Sequence, residues 1–82
     1  MPDELIVSDQ WTLNGVQVRT VHRGGRYVTE VWFQDAMLNR AENTDRFFAG
    51  VAHGSFLLSW AAANADNLLQ AVFEAREEGY GR

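Results

Sequence analysis

Two pairs of turn residues, Asn14-Gly15 and Gly24-Gly25, constrain this chain more than any other feature. Both positions of each pair tolerate the positive φ that a two-residue type I′ turn demands, so each pair reads as the tip of a β-hairpin. The residues around and between them are β-branched or aromatic at period two, the spacing of a strand with one buried side. A three-stranded antiparallel meander follows.

With two-residue loops at both turns, the partners can be read off. Across the first turn Leu13 faces Val16 and Trp11 faces Val18. Across the second, Arg23 faces Arg26, Val21 faces Val28, Arg19 faces Glu30 and Gln17 faces Trp32. Partners share a face of the sheet. One face then carries Trp11, Leu13, Val16, Val18, Thr20, His22, Tyr27, Thr29, Val31 and Phe33, a set suited to a core. The other carries Thr12, Gln17, Arg19, Val21, Arg23, Arg26, Val28, Glu30 and Trp32 and is mostly polar. A slip of one residue at either turn would mix the two sets. Two positions strain the scheme. Arg23 opposite Arg26 sets like charges side by side, and Asp9 falls on the core face, which marks a break before Leu5 to Val7 can extend the first strand.

After Phe33 the period changes. Asp35 is placed to cap a short helical turn through Arg40, Thr44 to cap a segment through Ala52, and Gly54 to stop it. From Ser55 two readings compete. One is a single helix to about Glu78, with Leu57, Ala61, Ala65, Leu68, Val72 and Ala75 along one side. The other makes residues 55–60 a fourth strand, with Phe56, Leu58 and Trp60 alternating and a helix beginning after Asn64 or Asp66. The fold class expected is therefore α+β in one domain: a meander over about 5–34, helices over about 35–78 packed on it, and a tail at 79–82.

The chain has 82 residues and no cysteine, so packing or association must supply the stability that disulfides or a thiolate zinc site give other small domains. No signal-peptide pattern and no apolar run of membrane-spanning length is present, and a soluble cytoplasmic protein is expected. The net charge of −4 is a poor match for the phosphates of a nucleic acid. Every basic residue is arginine. Arginine suits bidentate and stacked contacts, although the codon bias of a GC-rich genome accounts for the pattern as simply.

Chemistry-bearing motifs are lacking. His22 and His53 are the side chains that titrate near neutrality without a large shift. The first sits at a strand end beside Tyr27, and the second precedes the expected helix stop, so packing accounts for both. Gly54-Ser55 is not framed as a nucleophile elbow, and Gly24-Gly25 lacks the helix and lysine of a phosphate loop. Residues 44–63 have the outline of a helix-turn-helix, yet the second helix would present Phe56, Leu57, Leu58 and Trp60 rather than polar groups to base edges. No catalytic residue, metal or cofactor is expected.

What remains is surface. Trp32 lies beside the Val21–Val28 pair with Arg19, Arg23 and Arg26 around it, a mixture typical of protein interfaces. The same residues offer a second reading, in which the arginines grip phosphates and Trp32 stacks on a base. Between Phe47 and Phe73 the apolar residues, Leu57 and Trp60 among them, exceed what one sheet face can bury. That surplus points to a homodimer seam or a partner groove. In size and composition the chain is similar to small phage-encoded proteins that inhibit host enzymes or defence complexes by binding them, a similarity that involves no motif. The function expected is non-catalytic protein binding, as a small inhibitor or adaptor, with nucleic-acid binding second.

Overall fold

The computed structural model describes residues 4–78. Strands β1 (Glu4–Trp11), β2 (Gln17–Arg23), β3 (Arg26–Phe33) and β4 (Ala36–Asn43) form one antiparallel sheet in chain order, followed by helices α1 (Arg46–Ala61) and α2 (Ala65–Glu77). The fold is α+β, as expected. The tail reading at 79–82 lies outside the described residues.

The β2–β3 hairpin has the register predicted, from Gln17 opposite Trp32 to Arg23 opposite Arg26. Gly24 and Gly25 both take positive φ, 59° and 77°, as a two-residue type I′ turn requires. Neighbouring strands relieve the like-charge pair. Arg23 Nε donates to Glu4 Oε2 of β1 at 2.8 Å, and Arg26 lies 3.7 Å from Glu42 of β4.

The first hairpin departs from expectation by one residue. Its loop is Leu13-Asn14-Gly15, closed by hydrogen bonds from Thr12 N to Val16 O (2.8 Å) and from Gly15 N to Thr12 O (3.1 Å). Only Gly15 has positive φ in this turn. Such a three-residue loop, a turn followed by one left-handed residue, adds a residue to the connection. The extra residue flips β1 relative to the reading above. Trp11 now pairs with Gln17 rather than Val18, and Asp9 pairs with Arg19, so the strand continues through Asp9 without a break. Trp11 and Leu13, expected in the core, are 67% and 110% exposed. An irregularity between Ile6 and Ser8 shifts the register once more before Leu5 pairs with His22.

Asn14 serves a purpose other than positive φ. Its Nδ2 donates to the carbonyl oxygens of Trp60 (3.0 Å) and Ala63 (2.9 Å). Trp60 lies in the last turn of α1 and Ala63 just beyond its cap, where carbonyls lack the donor four residues on. Replacing Asn14 with aspartate removes both donors and puts a negative charge at the negative end of the helix dipole. A loss of about 1–2 kcal/mol in urea unfolding is expected, with little loss for Asn14→Gln if its longer amide still reaches the same carbonyls.

A fourth strand forms, but from residues 36–43, where the sequence suggested a helical turn, and Ser55 to Trp60 lie within α1. The sheet thus runs to Asn43 instead of ending near residue 34. The turn into β4 is Gln34-Asp35, with Phe33 opposite Ala36. Its left-handed residue is Gln34, at φ 49°, a conformation glycine or asparagine adopts at lower cost. Helix α1 is capped by Asp45, whose side chain accepts from Phe47 N at 2.7 Å, rather than by Thr44. It passes through Gly54 without stopping.

Both helices cover the same sheet face. Val16, Val18 and Val31 are wholly buried with Leu68 of α2, and Phe33, Leu38, Phe56, Leu57, Trp60 and Ala63 pack around them. Ala36, Val72 and Ala75 extend this core along β4. Among the described residues no helix covers the opposite face.

Candidate interaction surfaces

The open face of the sheet is a lattice set by register. Trp11, Gln17, Trp32 and Met37 stand side by side across the four strands, and the next row is Asp9, Arg19, Glu30 and Arg40. Ile6, Val21, Val28 and Glu42 form a third row, and Glu4, Arg23 and Arg26 a fourth. The structure therefore brings Trp32, Arg19, Arg23, Arg26, Val21 and Val28 onto one face, as the sequence indicates. Leu57 and Trp60 lie on the other side of the sheet, half-buried against the core.

These residues differ in what they offer a partner. Val21 and Val28 are buried, at 0% and 3% exposure, although neither α1 nor α2 lies over them. At that exposure the valines are a floor rather than contact surface. The arginines are engaged by carboxylates: Arg19 with Glu30 (3.8 Å), Arg23 with Glu4, and Arg26 and Arg40 with Glu42. Arg19 Nε is buried without an acceptor. Four arginines thus share the face with the carboxylates of Glu4, Asp9, Glu30 and Glu42, and the net charge is zero. A phosphate backbone finds no excess positive field there.

The tryptophan row closes into a cleft of about 180 Å³ lined by Trp11, Gln17, Trp32, Gln34 and Asp35. Trp32 is half-buried, and its indole N–H donates to Glu30 Oε1 at 3.1 Å, which holds the ring in place. Sequence reasoning missed Trp11 and Asp35. The signal for the first was glycine at the fourth position of Thr12-Leu13-Asn14-Gly15, where a type I turn favours it. No comparable signal marks the Gln34-Asp35 turn.

On the helical side, Phe47, Val51 and Leu58 form a stripe along the outer surface of α1, with Phe48 beside it. Phe47 and Phe48 meet edge to face, 5.4 Å apart. Leu69 and Phe73 are exposed in the same way on α2. Exposure reaches 80% at Leu58 and 70% at Phe47. Single exposed apolar residues are ordinary on a protein surface, but contiguous ones mark contact sites.

His53 lies inside this layer, on the side of α1 that faces the sheet, at 6% exposure. Its Nε2–H donates to Gln10 Oε1 (2.7 Å), so Nδ1 accepts from the Thr20 hydroxyl (2.8 Å), and Thr20 accepts from Thr29 (2.9 Å). Burial pushes the His53 pKa below the usual imidazole value, against a weaker opposing pull from Asp9. A cleft of about 280 Å³ beside it is lined by Val7, Ser8, Thr20, Arg46, Ala49, Gly50 and His53. Both ring nitrogens are already committed within the protein. His22 packs its ring on Tyr27, with centroids 4.6 Å apart.

Among the described residues there is no cluster of three or more metal-ligating side chains, and no helix is long and apolar enough to cross a membrane. The arrangement defines an α+β domain with one open sheet face and an apolar helical layer. Comparison of the chain with models of known protein families, with curated proteins and with solved structures finds no match.

Proposed function

We propose that this chain is a non-catalytic protein-binding domain that acts as a small inhibitor or adaptor and self-associates through its helical layer. The observation that carries this reading is the exposed stripe of Phe47, Val51 and Leu58 with Phe48 beside it. Burying such surface is favourable by about 25 cal/mol per Å², and association is the means open to side chains that the core cannot take up. Two further observations support the reading. The imidazole of His53 is held on both sides by protein hydrogen bonds, which leaves it poorly placed for proton transfer to a substrate. The arginines of the open sheet face are paired with carboxylates, which disfavours the nucleic-acid alternative.

The test is a double substitution, Phe47→Asp with Leu58→Asp. Both side chains are exposed, so the thermal melt of the variant should match that of the wild type. Sedimentation velocity should show a concentration-dependent dimer for the wild type and an association weakened by about tenfold or more for the variant. A wild type that stays monomeric at every concentration, together with a variant that still retains the same proteins from source-cell lysate, would overturn the proposal.

A further inference from the structure

The cleft between Trp11 and Trp32 has a composition that selects its occupant. The two indoles stand on β1 and β3 with Gln17 of β2 between them. Adjacent strands are about 4.8 Å apart, so a group seated over Gln17 lies about 5 Å from the strand bearing either tryptophan. A cation is attracted to an aromatic face within about 6 Å of the ring centroid. The cleft is lined by one carboxylate, two amides and two indoles, and by no cation. Asp35 forms no ion pair and no side-chain hydrogen bond among the described residues. Gln17 spends its amide N–H on Asp9 Oδ1 (2.8 Å) and keeps its carbonyl oxygen free. Arg19 and Arg40 sit one row away, on either side of Glu30. Two indoles, a carboxylate and an amide oxygen that no described residue pairs, with no positive charge among the lining residues, call for a cationic guest.

The guest's shape can also be specified. A guanidinium is flat, so it can lie between two rings, and its donors form a fork that a carboxylate accepts in pairs. An ammonium has neither property. We propose that the Trp11–Trp32 cleft receives an arginine side chain of a protein partner, with its guanidinium between the indoles, donating to Asp35 and to the Gln17 carbonyl. This rests on the protein-binding reading above and assigns the sheet face a role separate from that of the helical layer. The left-handed Gln34 fits the assignment, because the turn it distorts is the one that carries Asp35 into the cleft.

The test uses N-acetylarginine amide as probe, with the amides of N-acetylcitrulline and Nα-acetyllysine as the neutral isostere and the alternative cation. Binding is followed through the indole N–H resonances of the full chain. Saturable shifts confined to Trp11 and Trp32 are expected with the arginine probe, and affinity for the other two should be about fivefold lower or less. Trp11→Ala and Asp35→Asn should each weaken the arginine probe by a similar factor while leaving the remaining spectrum in place. Equal binding of citrulline or lysine, or unaltered binding by the Asp35→Asn protein, would overturn the proposal. The Phe47→Asp/Leu58→Asp protein separates the two readings. If it loses association but binds the probe, the cleft stands independently of the dimer. If the probe fails on the wild type while that variant still loses association, the cleft proposal falls alone.

Discussion

Leu68→Ala is expected to lower the unfolding free energy by about 3 kcal/mol, within the 2–5 kcal/mol range for leucine truncation in a packed core. Leu68 is 2% exposed and meets Val16, Val18 and Val31 where the sheet, α1 and α2 come together. It occupies the first turn of α2, whose cap is the side chain of Asn64 accepting from Asn67 N at 2.8 Å. A smaller residue there leaves a cavity that three elements would have to move together to fill. Small domains have about 5–15 kcal/mol in hand, so the loss is a large fraction of the total. The neighbouring residue supplies the control. Leu69 is 55% exposed, and Leu69→Ala should change stability by no more than about 0.5 kcal/mol. Urea unfolding of the two variants is decisive: equal losses would mean that α2 is rotated from the orientation described.

The second large effect is expected at His53. His53→Ala should cost roughly 2–4 kcal/mol, because it opens a cavity and leaves a hydroxyl proton of the Thr20–Thr29 pair without an acceptor. If the polar chain is the cause, converting all of it to apolar groups should recover most of the loss. The variant His53→Leu/Thr20→Val/Thr29→Val is therefore expected to be more stable than His53→Ala. The pH dependence has a definite sign. The folded-state pKa of His53 lies below its unfolded value near 6.5, so between the two the unfolded chain binds more protons. The contribution is complete above about pH 6.5 and is lost as the pH falls from there through the folded-state value. Thermal melts of wild type and His53→Leu across pH 5–8 should converge toward the acid end of that window. A wild-type advantage that grew on acidification would contradict the hydrogen-bond directions described.

The same residues show which parts of this structure were legible. The β2–β3 hairpin could be read completely because Gly24-Gly25 allows few other turns and valine, threonine and tyrosine flank it at period two. The first hairpin failed by one residue because Asn14-Gly15 has two uses. It suits a two-residue turn, but here Gly15 closes a three-residue loop and the Asn14 side chain holds the end of a helix far along the chain. Asp9 carried the warning, since it fits the open face only after the slip. Strand β4 was not legible. Ala36, Met37, Leu38, Arg40, Ala41 and Glu42 are good helix formers, and they form a strand because the exposed edge of β3 and the core beneath it offer more than local preference does. Gly54 misled in the opposite direction, as helix packing tolerates it in the interior of α1. At the surface, the Trp32 face was recognisable from alternation alone. Its cleft was not, because Trp11 depended on the register and Asp35 on a turn without a sequence signal.

The amide of Asn14 also has a consequence for the order in which the molecule assembles. Every strand pairs with the next in the chain, so the sheet can zip from local hairpins, which form in about 1–10 μs. The contacts from Asn14 to Trp60 and Ala63 span 46 and 49 residues. They close only once the end of α1 has come to lie against the first hairpin. Interactions made that late act as a latch: they hold back the first step of unfolding and leave the rate of folding almost untouched. A loop that looks like a simple reversal of direction would then set how long a folded molecule stays folded.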